Sequence, residues 1–207
     1  MTVFTFMVNS LHAEEGKNPA PAEKVILAFG DSLTAGYGIR LDLAFPSQLE
    51  RALRAKGYNV RVKNGGVSGE TSTGGLERIG WTLQQGKPDF VILELGANDM
   101  LRATDPRLTR QNLSHILKKL KEAKTPVLLA GMKAFPNLGE KYAGAYAKIY
   151  AELAKEYDVR LYPFFLDGVA LEAEFLQDDG LHPNAAGIAE IVKRITPAVE
   201  ELLKSGS

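Results

Sequence analysis

Apolar residues in this chain follow two different rhythms. Four short runs are nearly continuous: VILAFG (25–30), FVILEL (90–95), VLLAG (127–131) and VRLY (159–162). Unbroken apolar runs of this length predict strands buried on both faces. VRVK (60–63) alternates instead, which predicts a strand nearer a sheet edge. Between these runs, apolar residues recur at helical spacing. The segment 44–56 carries Phe45, Leu49, Ala52 and Leu53 on one stripe and stops at Gly57. A second helix is expected over 71–85, opened by Thr71-Ser72 and ended by Gly86-Lys87-Pro88, with Ile79, Trp81 and Leu83 as packing residues. Helices over 108–123 (Leu113, Ile116, Leu117, Leu120), 142–157 and 184–203 complete the pattern.

Five strands separated by helices imply parallel βαβ units with right-handed crossovers, and so an α/β fold, a three-layer α/β/α sandwich. In such a sheet the functional crevice lies outside the carboxyl ends of the strands. Four polar, glycine-rich clusters fall there: Gly30 to Gly36 after the first strand, Asn64 to Thr71 after the second, Gly96 to Asp99 after the third, and Asp178 to Pro183 before the last helix. Each alone reads as a turn, a helix cap or, for the first, a phosphate cradle.

Composition narrows the chemistry. The 207 residues contain no cysteine, which removes disulfides, thiolate metal sites and a cysteine nucleophile. Only three histidines are present, at 12, 115 and 182, too few for a multi-histidine metal centre built locally. Lys and Arg (25) balance Asp and Glu (25), so no cationic excess exists to track nucleic acid. No apolar run reaches the length of a membrane span. Thr2 to Leu11 followed by His12-Ala13-Glu14 half-meets the export-signal pattern, leaving open a signal remnant or a plain tail. Residues 14–24 read as a solvated linker, so the expected division is a tail over 1–23 and one domain over 24–204.

Together the four clusters complete a set. A serine hydroxyl needs a base to become a nucleophile, and an imidazole needs a carboxylate to fix its tautomer. Ser32, His182 and Asp179, three residues before His182, supply these groups, with Asp178 as the less well placed acid. A tetrahedral intermediate needs preset donors for its oxyanion. The Ser32 and Gly69 N–H groups and the Asn98 side-chain amide are the candidates.

The pattern resembles the SGNH (GDSL) hydrolases. FGDSLTAGYG (29–38) resembles the block bearing the nucleophile, Ser32. GGVSGETS (65–72) and LGAND (95–99) are similar to the blocks bearing the oxyanion donors, Gly69 and Asn98. DGLHP (179–183) is similar to the block bearing Asp179 and His182. YPFFLDGV (162–169) and QDDGLHPN (177–184) look like the bacterial thioesterase I/protease I/lysophospholipase branch, often called arylesterases. The resemblance spans roughly 24–203. It implies a flavodoxin-like sheet in the order 2-1-3-4-5, a serine esterase acting on aryl, short to medium acyl, thioester or lysophospholipid substrates, no metal or cofactor, and a monomer. It also favours export, to the periplasm or outside the cell, over a cytoplasmic location. Rival readings are a carbohydrate O-acetylesterase of the same family and a flavodoxin-like flavin- or phosphate-binding module.

Loops at strand ends carry specificity, so Met100, Leu101, Phe135 and Leu138 are expected to wall an acyl or aryl groove. Asp31 is expected to hold the nucleophile turn through backbone hydrogen bonds. Glu94, inside an apolar strand, needs a partner such as an arginine or a backbone amine. His115, mid-helix, is expected at the surface without a role.

Overall fold

The computed structural model describes residues 22–205. Five strands, β1 (Lys24–Gly30), β2 (Val60–Gly66), β3 (Phe90–Glu94), β4 (Val127–Ala130) and β5 (Arg160–Tyr162), form one parallel sheet in the order β2-β1-β3-β4-β5. The alternating strand β2 sits at an edge and β3, buried throughout, at the centre, as their apolar patterns require. Register aligns the carboxyl ends: Gly30 lies beside Gly66 and Glu94, Glu94 beside Ala130, and Ala130 beside Tyr162. That edge is the floor of the crevice.

Helices α2 (Phe45–Ala55) and α7 (Ala185–Lys204) pack together, while α3 (Ser72–Gln84), α5 (Pro106–Glu122) and α6 (Glu140–Tyr157) form a second packed layer. Two short helices, α1 (Ser32–Ala35) and α4 (Ala97–Leu101), sit directly on strand ends. They escape apolar periodicity because one turn presents no repeat to read. Helices α5 and α6 each begin two residues before the expected start. For α5 the cause is a polar cap: Asp105 accepts the Arg107 N–H at 2.9 Å and Pro106 occupies the first helical position.

Trp81 departs from expectation, standing 63% exposed while Ile79 is fully buried. Two residues along a helix is about 200° around it, so burying Ile79 points Trp81 outward, and Leu83 returns to the packed side. His115 is exposed on α5, as expected. No helix among the described residues is long and apolar enough to cross a membrane. The expected export remnant over 1–13 lies outside the described residues.

Candidate active site

The first strand ends at Gly30, where an added Cβ would sit 2.3 Å from Thr34 Oγ1 and 2.5 Å from the Glu94 carbonyl. Only glycine fits that approach, which brings the next residues over the centre of the sheet. Asp31 Oδ1 then accepts the Leu33 N–H at 3.0 Å and starts α1 at Ser32. Ser32 N–H opens the helix, one of the donors no helical carbonyl can reach.

A loop 150 residues away meets this serine. His182 Nε2 lies 2.9 Å from Ser32 Oγ, and His182 Nδ1 lies 2.6 Å from Asp179 Oδ2. The other Asp179 oxygen accepts the backbone N–H groups of Leu181 and His182, each at 2.9 Å. Those two N–H donors, then the His182 ring, hold the Asp179 carboxyl down at about 2. Gln177 ties the loop in place: its Nε2 donates to the carbonyls of Tyr37 (2.8 Å) and Pro183 (2.9 Å). The exposed Tyr37 ring covers the imidazole, with ring centres 4.6 Å apart.

The loop after β2 forms a turn closed by Glu70 N–H donating to Val67 carbonyl at 3.1 Å. Gly69, third in that turn, has φ of +80°, the value a type II turn demands there. Three groups clamp the loop. Val67 N–H donates to the Gly30 carbonyl (3.0 Å), Arg102 Nη2 to the Gly69 carbonyl (2.9 Å), and Asn98 Nδ2 to the Glu70 carbonyl (2.9 Å). Arg78 works beneath it, binding the Glu70 carboxylate and the carbonyls of Gly65 (2.8 Å) and Gly30 (3.2 Å) while lying 3.7 Å over the Phe29 ring.

Asn98 opens the turn after β3. Its Nδ2 also donates to Asp31 Oδ2 at 3.1 Å. Its neighbour Asp99 is buried and accepts from Ser72 N–H (2.7 Å), Ser72 Oγ (2.5 Å) and Thr109 Oγ1 (3.2 Å), locking this turn to the start of α3. From the far layer, Tyr146 donates to the Gly96 carbonyl and Tyr150 to the Leu95 carbonyl (2.9 Å).

Below the serine lies a pair of buried acids. Burial pushes the Asp31 carboxyl up to about 7, against the opposing pull of Leu33 N–H, Asn98 and His182. Glu94, fully buried, is raised well above the carboxylate range by burial and then by the charge of Asp31. Among the described residues, no arginine meets Glu94. Its Oε2 accepts from Thr34 Oγ1 (2.8 Å) and faces the Asp31 N–H (3.4 Å), while Oε1 has no partner among the described residues. Among the described residues, no three His, Asp or Glu side chains are gathered as a metal would need.

The four expected groove residues divide. Met100 is 5% exposed and packs in the core, because α4 turns it inward, so the groove loses it. Leu101, next along the helix, is 49% exposed. Phe135 and Leu138 are half-buried against the core, and Leu138 lines a cleft shared with Asp105, Arg107 and Tyr142. Asp178 makes no bond to the imidazole, which Asp179 occupies. Sequence reasoning missed Arg78, Glu70, Arg102, Gln177 and Tyr37. Glu70, Tyr37 and Gln177 sit inside the quoted motif blocks, and nothing in the spacing marks Arg78 or Arg102.

Residues 28–189 match the model of the GDSL-like lipase/acylhydrolase family. An arylesterase of Vibrio mimicus is 40% identical over 174 residues, covering 83% of this chain and 87% of the relative. The thioesterase 1/protease 1/lysophospholipase L1 of Escherichia coli K12 is 42% identical over 165 residues, 80% of this chain and 78% of the relative. The crystal structure of AlinE4, an SGNH-hydrolase family esterase, is 48% identical with a TM-score of 0.76, covering 89% of this chain and 98% of that one. On its strand order, its four blocks and these matches, the chain belongs to the GDSL-like lipase/acylhydrolase family, the SGNH hydrolases.

Proposed function

We propose that the protein is a serine esterase that hydrolyses carboxylic esters through an acyl-enzyme on Ser32. The carrying observation is the unbroken relay from Ser32 Oγ through the His182 ring to Asp179 Oδ2, at 2.9 and 2.6 Å. His182 Nε2 takes the hydroxyl proton as Ser32 Oγ adds to the acyl carbon, and the carbonyl pair moves onto oxygen. Asp179 fixes the tautomer and stabilises the imidazolium. The Ser32 and Gly69 N–H groups and the Asn98 amide receive the oxyanion. Collapse expels the alcohol or thiol, which regains the proton from His182. Water then repeats the cycle, giving the free acid and restoring Ser32. A flavin or phosphate cradle has no use for such a relay.

Exposed Tyr37, Val67, Leu101 and Leu181 flank these residues in sequence, which supports apolar acyl or aryl substrates over carbohydrate acetates. The likeness to an arylesterase and to a thioesterase/lysophospholipase points the same way. The reading includes a monomer and an exported protein; N-terminal sequencing of protein from its host shows whether residues 1–13 survive. The functional test is a chain-length series of p-nitrophenyl esters and acyl-CoAs on one preparation. Hydrolysis rising from acetate to medium chains supports the reading. Turnover of acetylated sugars alone overturns it in favour of the O-acetylesterase.

A further inference from the structure

Asp31 is more deeply buried than a helix cap requires. Asp105 and Asn184 cap their helices from exposed or half-buried positions. Asp31 does the same for Leu33 with no solvent exposure at all, and no cationic side chain among the described residues is bonded to its carboxyl. A carboxyl kept there against its desolvation cost must be held by a second contact. That contact runs across 67 residues of sequence, from Asp31 Oδ2 to Asn98 Nδ2. One Asn98 N–H is therefore directed at Asp31 and the other at the Glu70 carbonyl. Two fixed acceptors on one nitrogen define the plane of the carboxamide.

We propose that Asp31 is a positioning residue for the esterase reaction, orienting the Asn98 carboxamide toward the oxyanion through the Oδ2 contact. The inference rests on the proposed acyl-enzyme chemistry. One oxygen of a single carboxyl shapes the turn that presents Ser32, and the other presets a donor for the charge Ser32 creates. Nucleophile and donor thus keep their spacing whatever the loops above them do. The oxyanion shares the N–H that Asp31 fixes, so loss of Asp31 loosens the donor.

The two Asp31 contacts separate by substitution. Asp31→Asn keeps a good cap, with its one carbonyl oxygen toward Leu33 N–H, and turns an NH₂ against the Asn98 NH₂. Asp31→Ser also caps but is too short to reach Asn98. Both variants should lower kcat about 10- to 100-fold with KM within threefold, while the thermal midpoint holds or rises as a buried carboxyl is removed. In an Asn98→Ala background the same change should cost less than a further threefold, because its route to the reaction is gone. Losses that multiply in the double variant would assign Asp31 to the Ser32 turn alone and overturn the proposal. So would a kcat within threefold of wild type in both single variants. Independent of turnover, the Asn98 side-chain amide resonances, identified by their loss in Asn98→Ala, should shift in Asp31→Asn. An unmoved amide contradicts the contact, whereas a moved amide in a wild type without esterase activity would remove the esterase reading and leave the contact standing.

Discussion

Asn98 and Asp179 give the sharpest tests at the scale of single residues. Asp179→Asn preserves an acceptor for the Leu181 and His182 N–H groups but turns an amide toward His182 Nδ1. The imidazole is then held in the wrong tautomer, and kcat should fall on the order of 10⁴-fold with the fold intact by circular dichroism. Asn98→Ala removes one preset donor and should lower kcat about 10²–10³-fold with little change in KM. If Asn98 only capped a turn, the loss would appear as about 1 kcal/mol of stability with normal turnover per folded molecule. Measuring kcat and thermal midpoint on one sample separates these outcomes. Because Asp179 is held at about 2, it stays ionised across the neutral range and remains available to orient the His182 ring. The contact of Ser32, His182 and Asp179 was legible because each proposed chemistry demands a particular residue type at a strand end. Arg78 was not, since an arginine on an amphipathic helix is chemically unremarked until the fold sets it beneath Gly65, Gly30 and Glu70.

Among the elements, the loop between β2 and α3 is held from beneath by Arg78, in addition to its clamps from Asn98 and Arg102. Arg78 and Glu70 form a mostly buried ion pair, with side-chain exposures of 21% and 7%. Removing one partner strands the other, which typically costs about 3–5 kcal/mol. Arg78→Met should therefore lower the unfolding free energy in urea by about 3 kcal/mol. It should also reduce kcat by about tenfold, because Gly69 loses the support beneath its turn. A destabilised variant with full turnover per folded molecule would show that the turn holds without Arg78. The five strands and five long helices were readable because apolar period reports which face an element buries. Helices α1 and α4 were not, because four or five residues show no period. Met100 was misread for the same reason: without a helix at 97–101, nothing marked it as inward-facing.

Across the whole molecule, the buried acids beneath the site set a dependence of stability on pH. The unfolded chain releases the Asp31 proton near 3.8, whereas the folded protein keeps it until about 7. Between these values the folded state binds the extra proton, so stability must fall as pH rises through this range. Glu94, also raised, acts in the same direction. Asp179 acts oppositely but lower, its contribution being lost as pH falls from about 4 through 2. Urea unfolding from pH 4 to 8 should show the decline, and Asp31→Asn should flatten it; a wild-type curve flat across that range would contradict the burial of a titrating acid. The fold sustains this cost at the one place where β1 and β3 end side by side, the junction that brings Ser32 and Asn98 together. Whether that junction holds an activated serine is tested most directly by covalent labelling. Incubation with a fluorophosphonate, followed by intact-mass and peptide mass spectrometry, should show one adduct per chain, on Ser32, lost in His182→Ala and retained in His115→Ala. An unlabelled wild type, or an adduct on any other residue, would contradict the account.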